Sequence, residues 1–226
     1  MDDQQWQCEY EEVDVSLGND ITGDLSVIQI GYMDFFNTPG VPSIFNGVMA
    51  SSVSSRLHYM QKRVTEAEAM FSRRFEVISG HEMTCLIFVV EDVVMHMKRA
   101  VDEFFTYEWL RLEGRSTAYL ETGVICVLEV NAIDKCPAGP TKDALVALRD
   151  NHGQFMQHLI NIRNSFAHHP LVALSYDLVG LDHLTVNTVY TKRGDMKKLT
   201  QYSIFLEDLL KSFNRFMRAV YLEPRD

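Results

Sequence analysis

Basic side chains are missing from the first quarter of this chain: the first Lys or Arg is Arg56. Residues 1–55 carry nine carboxylates (Asp2, Asp3, Glu9, Glu11, Glu12, Asp14, Asp20, Asp24 and Asp34) with no cation to balance them. The other 171 residues hold 22 acids against 21 bases, so the net charge of −10 belongs almost wholly to one end. A net charge of −10 argues against bulk, non-specific nucleic-acid binding. The acidic end reads most simply as a solubilising, partly ordered extension. Its sharper reading is a cover for a phosphate-binding groove, or a docking surface for a basic partner.

Cysteine is also scarce. Cys8, Cys85, Cys126 and Cys136 are scattered without a CxxC pair, which argues against a disulfide frame or a structural zinc site; reduced thiols in a cytoplasmic protein are expected. No apolar run reaches membrane-spanning length, since the best, Cys85 to Val90, meets Glu91 and Asp92 at once. The basic-then-apolar order of a secretory signal is absent, so no membrane partner is expected. Repeats and low-complexity tracts are absent too. What remains, 46% hydrophobic and 11% aromatic, is an ordinary globular composition, and 226 residues suffice for one large domain or one domain with a small appendage.

The expected fold is mainly α: an up-and-down bundle of four or five helices, with a small β-hairpin insertion and a non-helical N-terminal arm. The arm spans residues 1–50, punctuated by Gly18, Gly23, Gly31, Pro39, Gly40, Pro42 and Gly47. It has a possible short strand at Val27–Ile30, and Trp6, Tyr32, Phe35 and Phe36 are available for packing. The bundle spans 51–226. Ser51 to Ser55 offer N-caps for a helix to about Val77. His81 to Leu112 carries Leu86, Val90, Val93, Met97, Phe104 and Leu110 at mostly helical intervals. Ser116 to Ile133 resembles a further helix. After the Cys136–Pro140 loop, Thr141 opens a helix whose apolar stripe is Leu145, Leu148, His152, Phe155, Leu159, Ile162 and Phe166. Alternation over about 174–191, with Gly180 in its middle, suggests the hairpin. A last helical stripe is Leu199, Tyr202, Phe205, Leu209, Phe213, Phe216 and Val220.

The fourth of these helices runs into Arg163-Asn164-Ser165-Phe166-Ala167-His168, and Pro170 closes it. Asn164 and His168 are four apart and project from one face. Arg163 sits one turn before the small Ala167. A permanently charged fork, an amide and an imidazole thus fall within about one and a half turns. Phosphodiester cleavage needs such groups: His168 to move protons, Arg163 to hold phosphate and stabilise developing charge, Asn164 to orient. When the 2′-hydroxyl of RNA is the nucleophile, neither metal nor cofactor is required.

Arg163-Asn164-x-x-x-His168, late in a helical chain and before a helix break, resembles the R-x4–6-H motif of the HEPN superfamily in its Arg-Asn form. The resemblance covers roughly residues 56–222 in outline and is specific at the motif. It implies a homodimeric helical bundle whose two motifs meet in a composite cleft. It also implies a metal-independent endoribonuclease in a toxin–antitoxin, abortive-infection or other phage-defence system, with RNA as substrate and an antitoxin or regulatory protein as a further partner. The alternative it implies is a non-catalytic HEPN-like interaction or nucleotide-binding module. Pro170 stands where toxins of this kind that pair with a nucleotidyltransferase often carry Tyr.

Other candidates are weaker in pattern. The basic stretch Lys192, Arg193, Lys197 and Lys198 reads as a solvated turn or as a loop tracking the phosphates of bound RNA. His152 lies on the apolar stripe. His158 precedes Arg163 by five residues and is a candidate neighbour of the same cleft. His169 has no Cys or carboxylate at ligand spacing, and His81-Glu82 and Glu91-Asp92-x-x-x-His96 read as solvated faces rather than metal or acid–base sets.

Overall fold

In a computed structural model of the protein, the described residues are 9–33, 43–74, 80–114, 128–168, 182–191 and 198–222. Their order is β1 (Glu9–Val15), α1 (Ser43–Ser72), α2 (Gly80–Leu112), a 3₁₀ segment (Val130–Lys135), α3 (Pro140–Asn151), α4 (Gly153–His168), β2 (Thr185–Thr191), β3 (Lys198–Phe205) and α5 (Leu206–Tyr221). The fold is mainly α with one small sheet.

α1 and α2 form an antiparallel hairpin. Arg56 of α1 reaches Glu103 of α2, while Arg63, two turns on, reaches back to Asp92. α1 begins eight residues earlier than its serine cluster suggests, at Ser43 directly after Pro42. Gly47 lies inside the helix, where a β-carbon would approach the Tyr32 hydroxyl to 3.4 Å. The second half of α2 is wrapped on nearly every side, burying Ala100, Val101, Asp102, Phe104, Phe105, Thr106, Tyr107 and Glu108. Phe104 meets Phe216 of α5 edge-on at 5.6 Å between ring centroids, one of the contacts that knit the core.

Four expectations need correction. The stripe from Thr141 to Phe166 is two helices: the chain breaks at His152, whose φ of −115° and ψ of 26° leave the helical region, before Gly153 opens α4. Residues 115–127 lie outside the described part. Leu128 and Glu129, the next two of the expected 116–133 helix, are irregular because α2 side chains take the neighbouring amides. Thr106 Oγ1 accepts from Leu128 N at 2.8 Å, and Asp102 Oδ1 accepts from Val130 N at 2.8 Å.

The hairpin lies further along than 174–191. β2 pairs antiparallel with β3, setting Thr188 opposite Tyr202, so Lys198–Phe205 is a strand rather than the first turns of the last helix. Leu199, Tyr202 and Phe205 have helical spacing, but Thr200, Tyr202 and Ile204 are β-formers with partners on both sides, and that pairing decides the conformation. The hairpin's expected first half, 174–181, lies outside the described residues.

Fourth, the arm's strand is β1, not Val27–Ile30. β1 runs parallel to β3, giving the sheet order β1-β3-β2. Val27 and Ile30 are buried in the core without joining a sheet, and side chains take the amides between them: Val27 N donates to Gln61 Oε1 (2.7 Å) and Ile28 N to Asn214 Oδ1 (2.8 Å). Of the arm's expected packing aromatics, Tyr32 is 48% exposed; Trp6, Phe35 and Phe36 lie outside the described residues.

Between those points the arm wraps the start of α5. Asp208 accepts from Leu17 N (2.6 Å) and from Asn19 Nδ2 (2.6 Å), while Glu207 accepts from Thr22 N (2.7 Å) and Gly23 N (2.9 Å). Both carboxylates are 2% exposed. The acidic arm is thus strapped on by buried acids of the opposite end of the chain, which collect its backbone N–H groups.

Candidate functional site

α4 is helical without interruption from Gly153 through His168, which sets the backbones of Arg163, Asn164 and His168 within its last turn and a half. Leu159 and Ile162 are buried and face the core. Arg163 and Asn164 are half-buried at the rim of that face. Arg163 Nη1 donates to Asn164 Oδ1 at 3.1 Å, so the two adjacent polar side chains form one unit. The His168 imidazole and the whole of His169 lie outside the described residues. So do Lys192, Arg193 and Lys197; Lys198 is the first residue of β3, in register with Glu9 of β1.

The other end of the Arg163 guanidinium faces an acid that its sequence position does not reveal. Arg163 Nη2 lies 3.9 Å from Glu129 Oε1, with side chains 28% and 46% exposed respectively. Glu129 stands just before the 3₁₀ segment, between the two residues whose amides α2 takes. The acceptor for Val130 belongs to a buried ion pair: Lys98 Nζ approaches Asp102 Oδ1 and Oδ2 at 2.6 and 2.7 Å. Burial pushes the Asp102 carboxyl above the usual carboxylate range, against the pull of Lys98. The set brought together is therefore Lys98, Asp102, Glu129, Arg163 and Asn164, of which the sequence motif supplies the last two. Spacing cannot reveal the others, because 34 residues separate Glu129 from Arg163.

No family model matches the chain, and no curated protein or solved structure is similar to it. The motif must therefore be judged on its own geometry and chemistry.

The remaining candidates resolve differently. His158 stands one turn before buried Ile162, on the core-facing side, and burial lowers its pKa. His152 packs edge-on against Phe216, with ring centroids 5.2 Å apart and planes at 88°. His81 Nε2 lies 3.7 Å from Cys85 Sγ, one turn along α2. Among the described residues no three His, Cys, Asp or Glu side chains converge as a metal would require.

Asp92 and His96 belong to an ionic seam between α1 and α2. Arg56 Nη1 is 2.9 Å from His96 Nδ1, and His96 Nε2 is 3.5 Å from Asp92 Oδ1. An arginine can only donate, so Nδ1 accepts and the proton of this neutral imidazole is on Nε2. Beside Phe166, Leu86, Val90, Leu184 and Val186 line a shallow apolar groove with a cavity volume of about 20 Å³, room for a single water rather than a substrate.

Proposed function

We propose that this protein is a HEPN-type, metal-independent endoribonuclease. The observation that carries the reading is the Arg163–Asn164 hydrogen bond at the end of an unbroken helix, with His168 one turn beyond Asn164. In this reading Arg163 clamps the scissile phosphate, Asn164 holds the guanidinium, and His168 transfers a proton. RNA is the substrate, and two copies of the chain bring their motifs into one cleft. Lys192, Arg193, Lys197 and Lys198 track the RNA backbone at its edge. That local charge is needed because the chain as a whole is acidic. A cytoplasmic toxin or phage-defence role, held in check by an antitoxin or regulatory protein, follows from the family resemblance.

Incubation with RNA in EDTA, beside Arg163→Ala and His168→Ala, tests the reading. Cleavage by the parent protein alone supports it; no cleavage by any of the three under varied salt and RNA sequence removes it. A second reading, a non-catalytic HEPN-like interaction or nucleotide-binding module, has one observation in its favour. Glu129 already sets a carboxylate beside the guanidinium that would bind phosphate. RNA binding that depends on Arg163 without cleavage would select this module.

A further inference from the structure

We infer that Glu129 is a positioning residue for Arg163, and that the buried Lys98–Asp102 pair exists to anchor it. The inference rests on Arg163 being the phosphate clamp of the proposed site. An ion pair as enclosed as Lys98 (3% exposed) and Asp102 (6% exposed) is a costly way to stabilise a helix, since both charges lose their hydration. What this pair does beyond its own contact is hold chain. Asp102 Oδ1 receives Val130 N, and Thr106, whose hydroxyl donates to Asp102 O at 2.7 Å, receives Leu128 N. The amides on either side of Glu129 are thus fixed to successive turns of α2.

Glu129 itself stays half-exposed, with its carboxylate 3.9 Å from Arg163 Nη2, while Asn164 holds Nη1. Two partners on two separate elements flank the guanidinium, Asn164 by a hydrogen bond and Glu129 by a charge contact longer than a hydrogen bond. Holding both terminal nitrogens narrows the orientations the guanidinium can take, and bidentate phosphate recognition demands a fixed orientation. Asn164 alone, on the same helix as Arg163, would leave rotation about the long side chain unopposed. Glu129 supplies the second point.

The test uses the full chain with Glu129→Gln and Glu129→Asp, and three readouts: RNA cleavage, affinity for an uncleavable 2′-deoxy analogue, and hydrogen exchange of the Arg163 Nε–H by ¹⁵N NMR. Glu129→Gln should lower kcat about tenfold or more, in line with the cost of a misplaced catalytic group. Affinity for the analogue should hold or tighten, because a negative charge has gone, and the Arg163 Nε–H should exchange faster. Glu129→Asp should restore kcat to within about threefold of the parent, because the charge returns on a shorter stem. Unchanged Arg163 exchange in Glu129→Gln overturns the inference whatever kcat does, as does a parallel loss of kcat and affinity. If the parent cleaves no RNA, the nuclease reading fails by itself. The Arg163 exchange rate then still decides, faster exchange upholding Glu129 as the positioning residue and unchanged exchange removing it.

Discussion

Replacing Glu207 by Gln perturbs the strap at its best-defined point. In the folded protein the Glu207 carboxylate accepts Thr22 N, Thr22 Oγ1 and Gly23 N, and pairs with Lys211 Nζ at 2.9 Å. These bonds outweigh the cost of burial and bring its pKa from 4.5 down to about 2. At about 1.4 kcal/mol per pKa unit, ionised Glu207 contributes at most about 3.5 kcal/mol at neutral pH. The folded pKa is depressed, so this contribution is present above pH 4.5 and is lost as pH falls toward 2. Gln keeps the volume but offers one carbonyl oxygen to three donors and gives Lys211 no charge. Urea unfolding of both proteins from pH 7 to pH 2 should show a gap of up to about 3.5 kcal/mol at pH 7 that narrows steadily below pH 4.5. A gap under about 0.5 kcal/mol at pH 7, or one of constant size across the range, would refute the clamp.

Other consequences follow from the same contacts. Asn19→Ala removes the side chain that donates to Asp208 and Ser212 and accepts from Arg215, and should cost about 2 kcal/mol. Hydrogen exchange should quicken in β1 well before α2. His96 has its pKa lowered by burial, with Arg56 opposing its protonation and Asp92 favouring it. It should titrate below 6.5 and show the Nε2–H tautomer by NMR. A lowered histidine pKa gives stability that is full above pH 6.5 and is lost as pH falls through the folded value, so His96→Gln should flatten the pH dependence of stability in that window.

Helices with sustained apolar spacing were legible in the sequence. α2 falls within one residue of its expected start, and the end of α4 carries the motif as read. Local spacing failed where a distant partner decides. Leu199, Tyr202 and Phe205 satisfy a helical period, yet their segment is the central strand between β1 and β2. Glu207 and Asp208 look like ordinary acids favouring a helix N-terminus, and nothing nearby reveals that they receive amides from 184 to 191 residues away. Glu129 was hidden for the same reason: the amides beside it are held by α2 side chains that a one-dimensional pattern does not connect to it. In the candidate site, the Arg163–Asn164 unit was readable and its support was not.

The proposed metal-independent cleavage of RNA by Arg163 and His168 is tested most directly by the initial rate of cleavage of a labelled RNA in EDTA by the parent protein and by His168→Ala, with analysis of the new ends. The parent should leave 2′,3′-cyclic phosphate and 5′-hydroxyl ends, and the variant should cleave at a rate lower by about 10² to 10⁴. Equal rates in the two proteins, or cleavage that appears only when a divalent metal is restored, would contradict it.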